Sequence, residues 1–218
     1  MDIKQDELKI IKPKLINGIE NIYIEVNDIE DEDSFKDGCI SDFKFENQEA
    51  AHVCFERVIF RNVEFKAVAF NFLELTDVRF ENCDLSNANF NGAIIHRTEF
   101  INCKLLGLNL SDATLQNVHI EQCNGKFALV SYAHMKKVMF EESIFESSNF
   151  QNSHFDKVKI EKCNFRLSQM YGTSLSGMDL SNSDVEGLGI QLEDLRGAIV
   201  SPMQAVDFSR LLGLIVLE

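Results

Sequence analysis

A five-residue period runs through residues 53–200 without an insertion, and it constrains the fold more than any other feature of the chain. Of the 30 central positions at this spacing, 29 hold Phe, Leu, Ile, Met or Val, and only Gly125 departs from the rule. Two residues before each centre stands Ala, Ser, Thr, Cys or Val at 25 of the 30 positions. An amphipathic helix would repeat every three to four residues and a half-buried strand every two. The five-residue unit is therefore itself the structural repeat.

Four such units close a square coil of twenty residues if each unit turns the chain by a right angle. Successive coils then stack and hydrogen-bond as neighbouring strands do, about 4.8 Å apart. The large central residue and the small residue before it both point inward and fill a narrow interior. Thirty units predict seven and a half coils and a rod of roughly 36 Å. Each coil contacts only its neighbours, so the two ends need caps.

The composition predicts one soluble domain in the cytoplasm. The chain has 218 residues, 45% of them hydrophobic, and a formal net charge of −14. Its first residues are too charged for a signal peptide or a membrane span. Residues 1–49 carry 14 acidic and 6 basic residues, whereas residues 50–200 carry 19 and 14, so the repeat region is only mildly acidic. The acidic run at residues 28–33 is typical of a solvated loop.

The chain divides by pattern into three segments. Residues 17–29 partly alternate in hydrophobicity, which predicts a strand over the first coil, while Phe35, Ile40 and Phe45 already keep the five-residue frame. We therefore expect an N-terminal cap with imperfect first coils in residues 1–50 and the regular solenoid in residues 51–200. Residues 201–218 follow as a helix and a strand.

Residues twenty apart lie above one another, and this arrangement argues against a metal centre. Cys83, Cys103, Cys123 and Cys163 share one inward column, and a straight ladder of thiols cannot surround a zinc ion tetrahedrally. The parallel side chains and a cytoplasmic setting also disfavour disulfides. An outward pair, His134 and His154, provides only two ligands, one fewer than a catalytic zinc needs. We expect buried structural thiols and neither a metal nor another cofactor.

Nothing in the sequence predicts catalysis. It contains no catalytic triad pattern, phosphate-binding loop or paired carboxylates, and a convex rod offers no cleft of the kind that enzymes use. The irregularity at Gly125 predicts a local distortion of the coil, since glycine in a strand often marks a bulge. Phe127, two residues later, would then either fold inward or remain exposed.

The outward residues divide into faces of different charge. One face is acidic and carries Arg61, Arg79, Lys159 and Lys162 against seven acids, which are Glu81, Glu99, Glu121, Glu141, Glu142, Glu161 and Asp179. A second face is mildly basic, with Arg57, Arg97, Lys136, Lys137 and Lys157. A third face, around Phe70, Phe90, Leu110 and Phe150, is nearly uncharged and consists mostly of Asn, Ser and Gln.

The repeat frame ends after Val200, and the C-terminal residues predict a self-association segment. Ser201, Pro202 and Gln204 are typical of a helix start with a capping box, and Gly213 can end the helix. An open apolar tail would be an aggregation hazard, so we expect either capping of the rod's own end or pairing with a second copy. The residues concerned are Phe208, Leu211, Leu212, Leu214, Ile215, Val216 and Leu217.

Units such as Cys83-Asp84-Leu85-Ser86-Asn87 and Ala88-Asn89-Phe90 resemble the pentapeptide-repeat family, which implies a right-handed quadrilateral β-helix. The C-terminal segment resembles the Qnr-type quinolone-resistance subfamily in Leu195-Arg196-Gly197-Ala198, Gln204-Ala205 and Leu212-Gly213-Leu214. Residues 45–49, at the start of the coils, resemble the same subfamily. That resemblance implies a homodimer joined through the C-terminal helix and strand. It also implies binding to DNA gyrase and topoisomerase IV, protection of both from fluoroquinolones, and mimicry of duplex DNA without direct nucleic-acid binding.

Two functions remain open at this point. The length and the C-terminal motif favour topoisomerase protection, while the nearly neutral rod favours a general protein-interaction scaffold. The frame lacks the two loops that interrupt the repeat in several Qnr-type proteins, so it resembles a loopless branch. Duplex DNA carries one charge per ~1.7 Å, or about twenty over a rod of this length. Any mimicry must therefore be of shape and of a few local charges.

Overall fold

The computed structural model describes residues 8–23 and 28–217. Its strands in this part of the chain are short and follow one another from Ser34 onward. They are β1 (Ser34–Ser41), β2 (Lys44–Glu46), β3 (Glu49–Ala51), β4 (Cys54–Arg61), β5 (Glu64–Lys66), β6 (Ala69–Asn71), β7 (Glu74–Glu81), β8 (Ile94–Ile101), β9 (Thr114–Glu121), β10 (His134–Glu141) and β11 (His154–Glu161). One α-helix, α1 (Pro202–Ser209), follows near the C-terminus.

The strands stack in parallel with a register of twenty residues, which confirms the predicted coil. Seven of them form one sheet in the order β1-β4-β7-β8-β9-β10-β11. Phe60 pairs with Phe80, and His134 pairs with His154. Two smaller sheets, β2-β5 and β3-β6, cover other sides and continue as single bridges such as Glu64 with Asp84 and Asp84 with Lys104. The chain is thus a parallel β-solenoid with a short C-terminal helix.

A left-handed backbone residue at each corner makes the chain turn. From residue 37 to residue 177 every fifth residue has a positive φ, including Arg57 at 53° and Phe127 at 61°. Such φ values are uncommon for residues other than glycine. Here they recur because each corner amide bonds to the next coil, as when the Asn82 N–H donates to the Ile101 carbonyl at 3.1 Å. The repeated corner hydrogen bond offsets the local conformational cost.

The interior is filled as the sequence predicts. Central aromatic residues form columns, with ring centroids 4.7 Å apart for Phe60 and Phe80 and 4.8 Å apart for Phe80 and Phe100. The small residues between them, such as Val58 and Ala88, are fully buried. Stacked, offset aromatic rings at these distances add to the free energy gained by removing their surface from water.

The coil passes Gly125 without the distortion that the sequence predicts. Asn124 bridges both Lys104 and Ile144, and the Gly125 N–H donates to the Ile144 carbonyl at 2.6 Å. The ring of Phe145, one coil later, fills the space beside Gly125. Phe127 stays outside and is 58% exposed.

The C-terminal helix closes the last coil. The Ser201 side chain accepts a hydrogen bond from the Gln204 N–H, and the Gln204 Oε1 atom accepts one from the Ser201 N–H, so the predicted capping box is present. The Gln204 side chain also donates to the carbonyls of Leu180 and Ser183 at 2.8 and 2.7 Å. A 3₁₀ turn, Arg210–Leu212, then ends at Gly213 with φ 75°. Residues 214–217 form no strand, contrary to the expectation for this segment.

The N-terminal residues do more than cover the first coil. Ile19–Asn21 forms a 3₁₀ turn, and Tyr23 makes one parallel bridge with Cys39. The predicted strand in residues 17–29 lies partly outside the described residues. Before this turn, residues 8–16 run along the outer surface of the large sheet, from β9 back toward β1. We call residues 8–16 the N-terminal strap.

Candidate partner-binding surface

The acidic residues meet on the outer surface of the large sheet. Strand pairing places Glu121, Glu141 and Glu161 in one column, each beside the next. Glu142 is exposed at the following corner, and Glu81 stands two coils before Glu121 in the same column. Ile101 interrupts the column between Glu81 and Glu121. The structure therefore contains the column of three consecutive carboxylates that the sequence predicts.

Basic groups pair with most of these carboxylates. Arg61 lies 2.9 Å from Glu81, Lys162 lies 3.2 Å from Glu142, and Lys159 lies 2.6 Å from Glu161. Hydrogen bonds from Gln122 and Lys162 hold the pKa of Glu142 below its usual range. The surface consequently presents paired charges, and its effective negative charge is smaller than its seven acids suggest.

His119 joins two members of the ladder. Its Nε2 atom lies 3.0 Å from Glu141, and its Nδ1 atom lies 3.9 Å from Glu121. The imidazole side chain is largely buried between the two carboxylates, at 15% exposure. The imidazole ring therefore bridges the carboxylates of two successive coils of the ladder.

Two of the predicted acidic residues, Glu99 and Asp179, do not belong to the carboxylate ladder. Glu99 is buried, with a side chain 3% exposed, and contacts Arg79 at 2.8 Å and Lys12 of the strap at 3.5 Å. Asp179 lies beyond β11, where it accepts hydrogen bonds from the Ser181 N–H and hydroxyl at 2.9 and 2.6 Å. Glu99 thus lies beneath the strap, which the repeat pattern did not predict.

Three residues of the basic face also form ion pairs with carboxylates. Arg97 donates to both carboxylate oxygens of Asp77 at 2.5 and 2.7 Å. Arg57 pairs with Asp37 and Glu56. Lys136 lies 3.6 Å from Asp156. Since each partner stands one coil away or in the same strand, charge pairing along the stack is a general property of this surface.

The cysteine column is present as predicted. Cys83, Cys103, Cys123 and Cys163 are buried free thiols. Their sulfur atoms lie near backbone carbonyls, as for Cys103 and the Ile101 carbonyl at 3.3 Å. Burial raises the pKa of Cys163, which keeps its thiol protonated. Within the described residues, no group of three or more His, Cys, Asp or Glu side chains is arranged to hold a metal ion.

Exposed apolar side chains lie on the uncharged face, at Leu129, Tyr132 and Tyr171, and in the corner column beside it, at Phe127 and Leu167. Their exposures range from 41% for Tyr171 to 58% for Phe127 and Tyr132. Leu129 and Leu167 have intermediate values of 44% and 50%, and Phe72, in the column of Tyr132, is 49% exposed. A search for large apolar residues at outward positions of the five-residue frame would have identified the group from the sequence.

The C-terminal segment presents a second apolar surface. Phe208 packs partly against the core. The residues that follow are exposed, from 43% for Leu211 to 89% for Ile215, and include Leu212, Leu214, Val216 and Leu217. This area lies at the end of the solenoid, next to the capping helix. In the part of the chain that the structure describes, no helix is long and apolar enough to cross a membrane.

Comparisons with known proteins agree with the repeat geometry. Residues 73–144 match a family model described as a pentapeptide repeat region, and residues 148–187 match one described as pentapeptide repeats (8 copies). The uncharacterized protein YisX of Bacillus subtilis (strain 168) is 40% identical over 169 residues, which cover 78% of this chain and 80% of YisX.

Two solved structures of low sequence identity also match this chain. HetL, a pentapeptide repeat protein involved in heterocyst differentiation regulation from the cyanobacterium Nostoc sp. strain PCC 7120, matches with a TM-score of 0.49 at 13% identity, over 78% of this chain and 90% of HetL. A trypsin-treated form of QnrB1, a plasmid-mediated fluoroquinolone resistance protein, matches with a TM-score of 0.42 at 19% identity, over 91% and 97% of the two chains.

Proposed function

The chain belongs to the pentapeptide-repeat family, and from this premise we propose that it is a non-catalytic, DNA-mimicking protein of the cytoplasm. It binds DNA gyrase and topoisomerase IV and protects them from fluoroquinolones. The observation that carries the proposal is the ladder of Glu121, Glu141 and Glu161, which repeats a carboxylate once per coil along a straight rod. A topoisomerase groove that binds duplex DNA is lined by Lys and Arg side chains and accepts regularly spaced anions.

Recognition in this proposal depends on shape and local charge. The paired charges along the columns leave a field far weaker than that of duplex DNA, which carries one charge per ~1.7 Å. Partner Lys and Arg side chains therefore compete with Lys159 and Lys162 for Glu161 and Glu142. Such exchange favours a partner whose cations approach within contact distance of the ladder.

The proposed function includes a homodimer joined through the C-terminal segment. The exposed apolar residues at positions 211–217 lie at the end of the rod, so pairing of two copies through them gives a longer rod with both ladders available. Exposed apolar surface at one end is more simply covered by a second copy than left in water. The homodimer is thus part of the proposed function.

A supercoiling assay tests the proposal. Gyrase is incubated with relaxed plasmid, ciprofloxacin and increasing amounts of the protein, and restored supercoiling is the expected result. A mobility-shift measurement with the same plasmid provides the control, since we expect no direct binding to nucleic acid. Failure to restore supercoiling or to bind either topoisomerase at a large excess would reject the proposal.

A general protein-interaction scaffold is the second candidate function. The observation that favours it is the group of exposed apolar residues on and beside the uncharged face, which are Phe127, Leu129, Tyr132, Leu167 and Tyr171. A neutral apolar surface has no role in charge mimicry but suits an apolar protein partner. Replacing Phe127 and Tyr132 by Ser separates the two functions, because it should leave topoisomerase protection unchanged and weaken only a scaffold.

A further inference from the structure

The N-terminal strap follows a track of hydrogen-bond acceptors on the large sheet. The Ile11 N–H donates to Oδ1 of Asn117 at 3.3 Å, and the Lys14 N–H donates to Oδ1 of Asp77 at 2.8 Å. Leu15 then packs against the cluster of Ile19, Cys39 and Ile59 at the first coils. The strap therefore crosses the sheet along the stacking direction and at right angles to the strands.

The spacing of the two acceptors on the sheet matches the spacing of the two strap amides that bind them. Asn117 and Asp77 stand two coils apart in one column, about 9.6 Å at the usual strand spacing. Ile11 and Lys14 are three residues apart, and three residues of polyproline II helix make one full turn and span about 9.3 Å. A peptide in that conformation can thus place every third N–H group opposite every second coil. The track accepts extended backbone as such, because its acceptors contact main-chain atoms.

The strap is complementary in charge to the surface it covers. Its sequence, Leu8-Lys9-Ile10-Ile11-Lys12-Pro13-Lys14-Leu15-Ile16, is basic and apolar. The ammonium group of Lys12 lies 3.5 Å from Oε1 of Glu99. Glu99, two residues before the ladder column in β8, and Asp77, at the corner of β7, are buried with side chains 3% and 5% exposed. Lys12 therefore occupies the place that a cation of a partner would take.

The strap contacts the solenoid without being part of its sheet. It forms no strand, and Ile11 and Ile16 remain 45% and 40% exposed. The strands beneath it are paired with one another on both sides of the corner residues Asp77, Arg97 and Asn117, as in β7 with β8 and β8 with β9. Lifting the strap breaks few contacts and leaves the coil hydrogen bonds intact, which is the property of a segment that opens locally.

We propose that the strap is an intramolecular cover of the partner-binding surface, and that it competes with a basic, extended segment of the partner for Asp77, Glu99 and Asn117. This inference rests on the proposed function, since it assigns a regulatory role to the same acidic surface. Bound partner and bound strap exclude each other, so strap release increases the affinity for the partner.

Full-length variants test the proposal without altering the solenoid. Lys14→Pro removes the N–H that Asp77 accepts, and Lys12→Glu places a carboxylate beside Glu99, so the double variant releases the strap. Lys9→Glu is the matched control for the charge change. By hydrogen-exchange mass spectrometry, we expect residues 8–16 of the wild type to exchange before β8. The double variant should exchange faster still in the strap and equally in β8. Strap amides of the wild type that exchange only with β8 would overturn the proposal.

Binding measurements complete the test. The double variant should bind gyrase more tightly than the wild type or Lys9→Glu by about fivefold or more, the usual lower range for a coupled equilibrium. Equal or weaker binding by the variant would contradict competition. A fluorescent synthetic peptide of residues 8–16 should bind the double variant and not the wild type. If no form of the protein binds gyrase, the proposed function fails, and the peptide result alone decides whether the track is a docking site.

Discussion

Cε1 of Phe145 lies 2.4 Å from the point that a Cβ atom on Gly125 would occupy, so the ring of one coil fills the space left by the residue in the coil before it. The same ring stacks on Phe165 at a centroid distance of 5.4 Å. The gap in the column of large residues is thus closed by a neighbour, and the register of the coils is preserved.

Gly125→Ala should destabilise the protein. The added methyl group overlaps the Phe145 ring, which is held by Phe165 and Phe140, and overpacking of this kind costs about 1–3 kcal/mol. Urea denaturation followed by circular dichroism measures the loss. Combining Gly125→Leu with Phe145→Leu restores the usual pattern of the column and should recover part of the stability. A Gly125→Ala variant as stable as the wild type would show that the ring has room to move.

The repeat predicted the coil, the columns and the buried residues because local spacing alone determines them. Cys83, Cys103, Cys123 and Cys163 stack as expected, since a twenty-residue coil has no freedom in register. The ion pairs within columns, such as Lys162 with Glu142, follow from the same arithmetic. The strap could not be predicted from the repeat, because its contacts join residues that are 63 and 106 apart in sequence and follow no period. The filling of the space at Gly125 could not be predicted either, because it depends on the rotamer of the Phe145 ring.

Substitutions in the C-terminal surface should convert a dimer to a monomer. Leu212 and Ile215 are 59% and 89% exposed in the single chain, and an Asp at each position would leave a charge buried in the proposed interface. Light scattering of the double variant should report half the mass of the wild-type dimer. Deleting residues 201–218 should give monomer or aggregate, but it also removes the Gln204 cap. Ile94→Asp, on the exposed surface of β8, is the control, and a dimer that persists in Leu212→Asp/Ile215→Asp refutes this interface.

Reversing the charge of the carboxylate ladder should weaken topoisomerase binding. Glu121, Glu141 and Glu161 changed together to Lys leave every inward residue untouched, and surface changes usually alter stability by no more than about 0.5 kcal/mol each. The loss of gyrase affinity should be steep at low salt and smaller at high salt because ions screen exposed charges.

The matched control for the ladder is Lys136, Lys137 and Lys157 changed to Glu. Arg97 is unsuitable as a control because it is bound to the buried carboxylate of Asp77. Equal protection of gyrase by the ladder variant and the wild type would exclude charge mimicry at this site.

Native thiol reactivity should be confined to Cys54. This residue is half-buried, while the other five cysteines are buried. Titration with a colourimetric thiol reagent should find one slowly reacting group in the folded protein and six after denaturation, and Cys54→Ala should abolish the native reaction. Burial raises the pKa of Cys54, so its reaction should accelerate toward alkaline pH. Rapid reaction of two or more native thiols would contradict the burial of the column.

The Cys103→Ser substitution should lower the free energy of unfolding by only about 1 kcal/mol, as is typical of a small change in a buried site. Ser143 already occupies the same column and donates to the Glu141 carbonyl at 2.8 Å, so a hydroxyl has an acceptor there. Thermal denaturation of reduced protein measures the change. Stoichiometric zinc or a disulfide between Cys83 and Cys103 in freshly purified protein would contradict a structural role.

Asp77→Asn should destabilise the protein in a pH-dependent way. Burial pushes the pKa of Asp77 upward, but hydrogen bonds from Arg97 and the Lys14 N–H outweigh it, so the pKa lies below its usual range. A depressed carboxyl pKa stabilises the folded state above the unfolded pKa of about 3.9. That contribution disappears as the pH falls through the folded value.

The difference in melting temperature between wild type and Asp77→Asn should therefore be constant near neutrality and shrink in acid. Asp156→Asn, at an exposed pair with Lys136, is the control and should have little effect at any pH. A difference that grows in acid would show that the Asp77 carboxyl is not held ionised by its partners.

The match of three strap residues to two coils limits how this solenoid can be lengthened. A β-solenoid without a strap can gain one coil by duplicating twenty residues. Between Asp77 and Asn117, one added coil lengthens the distance by about 4.8 Å, which is not a whole number of strap residues. A duplication of forty residues, with three residues added between Ile11 and Lys14, keeps both hydrogen bonds at their present spacing. The length of the strap and the number of coils beneath it are therefore coupled in this region.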